Sequence, residues 1–480
     1  MSAARIPGPS TSETRTAPRL FGTDGIRQVV GREMTPVFVA EVGSAISTYL
    51  DGHGDVLVAR DFRTTSEAMA RILAGALQMN GVNVREMGPM PTPCLQFNIR
   101  ALGAHMGLTV TASHNPTEFN GIKVTGPAGT EIPRSAEEFI ERSVFEHEFV
   151  RAEWDRAGTA RTDHDGIDRY VSSILHHADV AAIRAASPLV VLDPGNGTSA
   201  VTSPNLLREL GCQVITLNAN PDGHFPGRPS EPNEENLWAL RKAVVHFGAM
   251  LGIAHDGDSD RAAFVDERGQ FLHGDVTMAL LAQQRLREQP DGVVVTSVTS
   301  STIVEDVVRQ EGGTVEVTRS GSLPVAKRIY ERKAIFGGEE NGGYYWPEHQ
   351  VARDGPMTSA KMVELLVHAG APLSGLVAQL PVYYLSKTKV PLAAEWKDPV
   401  LAAAHVRLEC EAQRLVTIDG QKAYYVDGWL LLRPSGTEPI CRVFAEGRTP
   451  ARAKELMDHG VQIVVDEVDR LESGRSAVAS

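Results

Sequence analysis

The sequence predicts an α/β protein in which three similar α/β units precede a smaller, different fourth. Three observations carry this. A chain of 480 residues exceeds what one hydrophobic core holds and implies roughly three or four domains of ~100 to 200 residues each. Short apolar strands alternate with helical stretches from residue 20 to residue 317, the pattern of repeated α/β units. A Pro-bearing break over 372–381 then sets off a last segment of different character.

The polar tail 1–18 is expected to be disordered, and the first unit covers 19–160. It opens with Leu20-Phe-Gly-Thr-Asp-Gly-Ile-Arg27, then reads as helix over 35–50, strand over 56–59, helix over 66–79 and strand over 81–86, before a turn at Pro89-Met-Pro-Thr-Pro93. Next, Leu108, Val110 and Ala112 alternate with threonines as in a half-buried strand, and Asn115-Pro116 ends it. Ser113 is therefore expected exposed at the strand's exit. Neighbours on an extended chain face opposite ways, so His114 is expected to point away from it.

The second unit, 161–261, passes from a charged connector to the strand 189–192 and the loop Asp193-Pro-Gly-Asn-Gly197. Its strand over 250–254 ends at His255-Asp-Gly-Asp-Ser-Asp-Arg261. The third, 262–378, starts with a strand over 262–265 and carries Phe336-Gly-Gly-Glu-Glu-Asn-Gly-Gly343. The fourth, 379–480, has a strand over 429–432 that meets Arg433-Pro-Ser-Gly-Thr-Glu-Pro439. No sequence repeat relates the first three, so their kinship is expected in topology alone.

Hydrophobic residues at 42% and charged residues at 22% are ordinary for a soluble enzyme. A net charge of -13 argues against nucleic acid or an anionic membrane as partner, because such binding needs clustered Lys and Arg. Any anionic substrate requires a local basic pocket. The four cysteines are far apart and suit a reducing compartment; no run is long and apolar enough for a signal or a membrane span, so the expected location is the cytoplasm.

Asp256, Asp258 and Asp260 recur at a spacing of two, which gathers three carboxylates about one point and suits a hard cation such as Mg²⁺. An EF-hand loop is the rival reading, with Glu267 at its twelfth position, but Arg261 stands where that loop needs glycine. In 433–439 a guanidinium, two hydroxyls and a glycine suit a phosphate cradle, while Ser435 and Glu438 fit a helix capping box equally well. Glu339 and Asn341 stand between glycine pairs and could offer hydrogen bonds to sugar hydroxyls; Arg353-Asp354-Gly355 has the same character.

With these four stretches in order over residues 20 to 450, the chain resembles the α-D-phosphohexomutases, which include phosphoglucomutases, phosphomannomutases and phosphoglucosamine mutases. Thr-Ala-Ser-His-Asn-Pro resembles their phosphoserine loop, Asp-Gly-Asp-Ser-Asp-Arg their metal loop, Gly-Glu-Glu-Asn their sugar loop and Arg-Pro-Ser-Gly-Thr-Glu-Pro their phosphate loop. The resemblance implies three mixed α/β/α sandwich domains and a smaller α+β C-terminal domain around a central cleft. It implies exchange of phosphate between the 1- and 6-positions of a hexose phosphate, through phosphorylated Ser113 and a bisphosphorylated sugar.

In that family's terms one Mg²⁺ per site is held by Ser113, Asp256, Asp258 and Asp260. Lys123 is the candidate for proton handling, with Arg27 and Arg261 as charge stabilisers. Substrate binding falls to Glu339, Asn341 and Arg353 of the third unit and to Arg433, Ser435, Gly436, Thr437 and Arg442 of the fourth. A hexose bisphosphate serves as activator, and the enzyme is expected as a monomer or homodimer.

Two departures stand out: Gly343 occupies a position where many bacterial members have histidine, and Ser322 one where relatives have Asp or His. His255 and His349 are the candidates to take the missing histidine's part. The sugar loop resembles that of archaeal-type members, and the preferred sugar stays open among glucosamine, mannose and glucose phosphates. The other class of function is a non-catalytic sugar-phosphate-binding or regulatory protein on the same scaffold.

Overall fold

A computed structural model describes residues 19–478 apart from Thr23 and Thr437, so the tail 1–18 lies outside the described residues. Its strands form four sheets. In the first, the strands Asn83–Pro89, Asp55–Arg60 and Met106–Val110 lie side by side and parallel, and Phe119–Thr125 and Ile26–Val29 continue the sheet antiparallel. The short strand Ala160–Thr162 adds to the far edge. Asp55–Arg60 is apolar on both faces over Val56, Leu57, Val58 and Ala59, all buried, because helices cover both sides of a parallel sheet.

The second and third sheets repeat the scheme of three parallel strands followed by two antiparallel ones. In the second the parallel set is Gln213–Thr216, Leu189–Asp193 and Leu251–His255, followed by Ala262–Val265 and Phe271–Leu272. In the third it is Thr314–Thr318, Val293–Ser297 and Phe336–Gly338, followed by Tyr344–Trp346 and Gln350–Arg353. The kinship is topological, without a sequence repeat. In each unit the functional motif occupies the same place, the loop where the last parallel strand gives way to the antiparallel one.

The fourth sheet is wholly antiparallel, in the order Tyr384–Pro391, Ile440–Gly447, Gly428–Pro434, Gln421–Tyr425, Arg414–Val416. The helices Lys397–Glu411 and Pro450–Val478 pack on it around their own core. One hydrophobic cluster, from Leu57 to Leu380, runs through the first three units, and each of them also has a cluster of its own. The fourth unit docks through Trp429, Leu431 and Phe444 on Val298.

Two sequence expectations change. The boundary drawn at 261/262 cuts the second sheet, because Ala262–Val265 pairs with Leu251–His255 through the metal-loop turn. The Pro-rich turn at 89–93 leads into an unforeseen helix, Thr92–Leu102. Pro93 stands in its first turn, where the fixed proline φ favours a helix and the missing N–H costs nothing. No described helix is long and apolar enough to cross a membrane.

Candidate active site

Ser113 stands just beyond the strand Met106–Val110 and has φ +50°, a left-handed conformation that a side-chain-bearing residue adopts at a cost. Its Oγ donates to Asp256 Oδ2 at 2.9 Å, joining the first unit to the second. The expected exposure is not found: Ser113 is only 1% exposed because the metal loop lies against it. Gly257 makes that approach possible, since a Cβ there would sit 2.4 Å from the Ser113 carbonyl oxygen. The left-handed turn also overturns the expectation for His114, whose Nδ1 lies 3.2 Å from Ser113 Oγ instead of facing away. Burial, with Arg261 and Arg27 nearby, pushes the His114 pKa down to about 2 and keeps the ring neutral.

Asp256, Asp258 and Asp260 converge, with ligand oxygens all within 4.8 Å of one another. Burial and the carboxylates of Asp260 and Asp258 hold the Asp256 pKa well above the usual range. Oδ1 of Asp258 and Oδ1 of Asp260 are buried without a hydrogen-bond partner among the described residues. Hard oxygen donors, two of them unpaired, beside a hydroxyl that a phosphate would replace, fit Mg²⁺.

Lys123 is 3% exposed, with Nζ 2.7 Å from Asp258, 2.8 Å from Asp24 and 3.2 Å from Asp260. Burial opposes its charge, but these three carboxylates outweigh burial and push its pKa up, so it stands as an ammonium. Arg353 bridges Asp260 at 2.7 Å and Asp24 at 2.9 Å. Arg27 binds Asp24 at 3.0 Å and Asn115 Oδ1 at 2.9 Å, and Arg261 binds Glu231 at 3.1 Å.

These groups lie directly behind the wall of a cleft of about 680 Å³ that all four units help to line. Arg27, Arg261 and Arg353 line it. In the sugar loop Glu339 Oε1 accepts from Gly321 N at 2.9 Å, Asn341 Oδ1 accepts from Gly343 N at 3.0 Å, and both residues line the cleft. Burial raises the pKa of Glu339. Arg433, Gly436 and Arg442 of the fourth unit line it as well. Arg433 Nε donates to Asp419 at 2.8 Å, and Arg442 pairs with Glu438 at 2.8 Å.

Ser435 Oγ accepts from Glu438 N at 3.1 Å, the bond a capping box would make, but no helix follows. The segment is the turn between the strands Gly428–Pro434 and Ile440–Gly447, which leaves the cradle reading. Thr437 lies outside the described residues.

Neither histidine proposed to replace the missing one reaches the cleft. His255 is fully buried, with Nδ1 2.9 Å from the Arg261 carbonyl and Nε2 near Ser203 and Ser359. His349 is buried beside Asp354 and stacks on Phe97. A side chain at 343 has no room, because its Cβ would meet Arg353 Cδ at 2.4 Å; Arg353 takes that space.

Two residues of the site escaped sequence reasoning. Asp24 binds Lys123, Arg27 and Arg353, and its signal was present, since it lies in the same conspicuous run as Arg27. Thr92 donates from Oγ1 to Asp258 Oδ2 at 2.6 Å, a contact across 166 positions with no local signature.

Comparison with known proteins gives the same four parts in the same order. Models of phosphoglucomutase/phosphomannomutase α/β/α domains I, II and III match residues 18–151, 168–269 and 273–384, and that of the C-terminal domain matches 387–461. A phosphoglucomutase/phosphomannomutase of Thermococcus kodakarensis is 41% identical over 450 residues, covering 93% of this chain and 98% of that protein. A phosphoglucosamine/phosphogalactosamine mutase of Sulfurisphaera tokodaii is 38% identical over 455 residues, covering 93% and 99%. The crystal structure of a phosphoglucomutase/phosphomannomutase family protein from Burkholderia thailandensis superposes with a TM-score of 0.82 at 26% identity, over 93% of this chain and 97% of that one.

Fold, cleft and relatives together make the protein an enzyme of the phosphohexomutase class, which interconverts hexose phosphates. Within that class the chain belongs to the phosphoglucomutase/phosphomannomutase family.

Proposed function

We propose that this enzyme moves phosphate between the 1- and 6-positions of a hexose phosphate, with Ser113 as the phosphoryl carrier and a hexose bisphosphate as intermediate. The observation that carries the reading is Ser113 Oγ at 2.9 Å from Asp256, a member of a carboxylate triad, with the neighbouring His114 and the basic residues Arg433 and Arg442 lining one cleft. Mg²⁺, one per site, held by Asp256, Asp258, Asp260 and an oxygen of phosphorylated Ser113, supplies neutralisation of charge on the migrating phosphoryl group.

The chain's own residues orient and screen. Arg433, Ser435, Gly436, Thr437 and Arg442 grip the phosphate that is not reacting, which fixes the sugar's far end toward Ser113. Glu339 and Asn341 accept and donate to sugar hydroxyls. Arg27, Arg261 and Arg353 spread positive charge along the wall where the phosphoryl passes. Lys123 moves the proton between the sugar hydroxyl and the serine oxygen. The bisphosphate then turns over, so that one cradle serves both orientations, and free hexose bisphosphate rephosphorylates any enzyme that loses its phosphate.

The names of the relatives support glucosamine, mannose or glucose phosphate as substrate. A coupled assay on the three 6-phosphates, with Mg²⁺ and a trace of the matching 1,6-bisphosphate, gives kcat/KM for each. Turnover of at least one is the expected result. Binding without turnover on all three overturns the reading and leaves a sugar-phosphate-binding protein.

A further inference from the structure

Between Ala112 and Phe119 the loop that carries Ser113 has only two backbone turn bonds of its own, Asn115 N to the Ala112 carbonyl at 3.0 Å and Phe119 N to that of Pro116 at 3.1 Å, yet it holds the serine at φ +50°. A residue in this conformation persists only where its surroundings over-determine it. Among those surroundings one side chain gathers four of the loop's carbonyls. Arg63 NH2 donates to the carbonyls of Ser113 at 2.9 Å and Asn115 at 2.6 Å. Its NH1 donates to those of Pro116 at 2.7 Å and Phe119 at 3.0 Å.

The guanidinium is itself anchored. Its Nε lies 3.2 Å from Asp61 Oδ2, and Asp61 also accepts from Thr111 Oγ1 at 2.7 Å. Thr111 Oγ1 in turn accepts from Ser113 N at 2.9 Å, so Asp61 reaches the serine from its other side. Arg63 is 3% exposed and lines neither the cleft nor the cation site. Burial pulls its pKa down from the guanidinium's ordinary value, and Asp61 opposes the fall.

The second unit closes over this clamp. The Phe225 ring centroid is 5.1 Å from the Arg63 guanidinium carbon. A Cβ on Gly223 would lie 2.3 Å from the Phe62 carbonyl and 2.6 Å from Arg63 Cα, so the loop seats with no room to spare. The unit that presents Asp256 to Ser113 Oγ therefore also fixes the arginine that sets Ser113's backbone.

We propose that Arg63 is a positioning residue for phosphoryl transfer: it holds four carbonyls of the serine loop, under Phe225, so that Ser113 Oγ meets the Asp256 cluster in line with the cleft. Four carbonyls in a fan require the planar fork of an arginine; a lysine ammonium offers three donors from one point and cannot span them. The proposal rests on Ser113 as the carrier, so Ser113→Ala is assayed alongside. Turnover in that variant would defeat the carrier reading itself, separately from the clamp.

The experiment measures steady-state kinetics on the best of the three sugar phosphates for Arg63→Lys, Arg63→Ala and Phe225→Leu, each checked for a cooperative thermal transition. Arg63→Lys lowers kcat about 10²-fold, the cost of roughly an ångström of misplacement, with KM within about threefold of the parent. Added guanidinium chloride at millimolar concentration restores part of the rate to Arg63→Ala and none to Ser113→Ala. An unchanged kcat in Arg63→Lys overturns the proposal, as does a loss shared between kcat and KM without guanidinium rescue. Should the Arg63 variants not fold, Phe225→Leu decides. It keeps every donor and only loosens the seat, so a fall in kcat at constant KM supports the clamp and an unchanged kcat overturns it.

Discussion

Lys123 concentrates the chemistry of the site in one atom. Its ammonium touches Asp24, Asp258 and Asp260 within 3.2 Å and has no exposure to lose its charge into solvent. Removing it leaves three buried carboxylates without the cation they share. Lys123→Met should lower kcat by about 10²- to 10⁴-fold, the range of a general acid–base or charge-stabilising residue, and steady-state assays at saturating substrate check this. A variant within tenfold of the parent would remove Lys123 from the mechanism. Arg353 fills the space beside Gly343, and neither His255 nor His349 faces the cleft, so neither takes the part that the family resemblance gives to a histidine there.

At the scale of elements, three sheets deliver three different loops to one place by the same device. The last parallel strand of each ends in a motif and returns antiparallel: 113 after Met106–Val110, 256–260 after Leu251–His255, 339–341 after Phe336–Gly338. The loops meet only because glycines let backbone approach backbone. Gly257→Ala places a methyl 2.4 Å from the Ser113 carbonyl, so one loop must move off the other. The expected loss in kcat is about 10²-fold with the fold intact, measured as kcat beside a thermal melt. A parental rate would mean that the contact between the two loops is not needed.

The same elements show which parts of the site the sequence discloses. The Asp256, Asp258 and Asp260 cluster is legible because its chemistry is written in five consecutive residues, and so are the serine, sugar and phosphate loops. Thr92 is not, since its partner lies 166 positions away, and Arg63 is legible only as a residue on a loop of the first unit, its hold on the serine loop about 50 positions on having no local pattern. His114 was misdirected because alternation on an extended strand stops where Ser113 turns left-handed. The helix Thr92–Leu102 was hidden by prolines that read as a turn but in fact begin it.

Over the whole molecule, burial of charge away from the cleft links stability to pH. Burial and the neighbouring Glu340 carboxylate push the Asp275 pKa up to about 8, on the helix Gly274–Glu288 at the seam of the third and fourth units. The folded chain therefore holds a proton that the unfolded chain has already released above the usual carboxylate range. That stability is complete at acid pH and is lost as pH rises through 8. Lys422, buried against Trp429 and pushed down to about 8, acts with the opposite sign and only above that pH. Between pH 5 and pH 8 the Tm of Asp275→Asn should gain steadily on that of the parent. A pH-independent difference would show that Asp275 is not protonated in the folded state.

Everything turns on Ser113 carrying phosphate. The direct measurement is intact mass, followed by peptide mapping, of the enzyme after incubation with glucose 1,6-bisphosphate and again after glucosamine, mannose or glucose 6-phosphate is added. One phosphate on the peptide containing Ser113, gained in the first step, passed to sugar bisphosphate in the second and absent from Ser113→Ala, is the predicted result. An enzyme that turns over its substrate while Ser113 stays unmodified would contradict it.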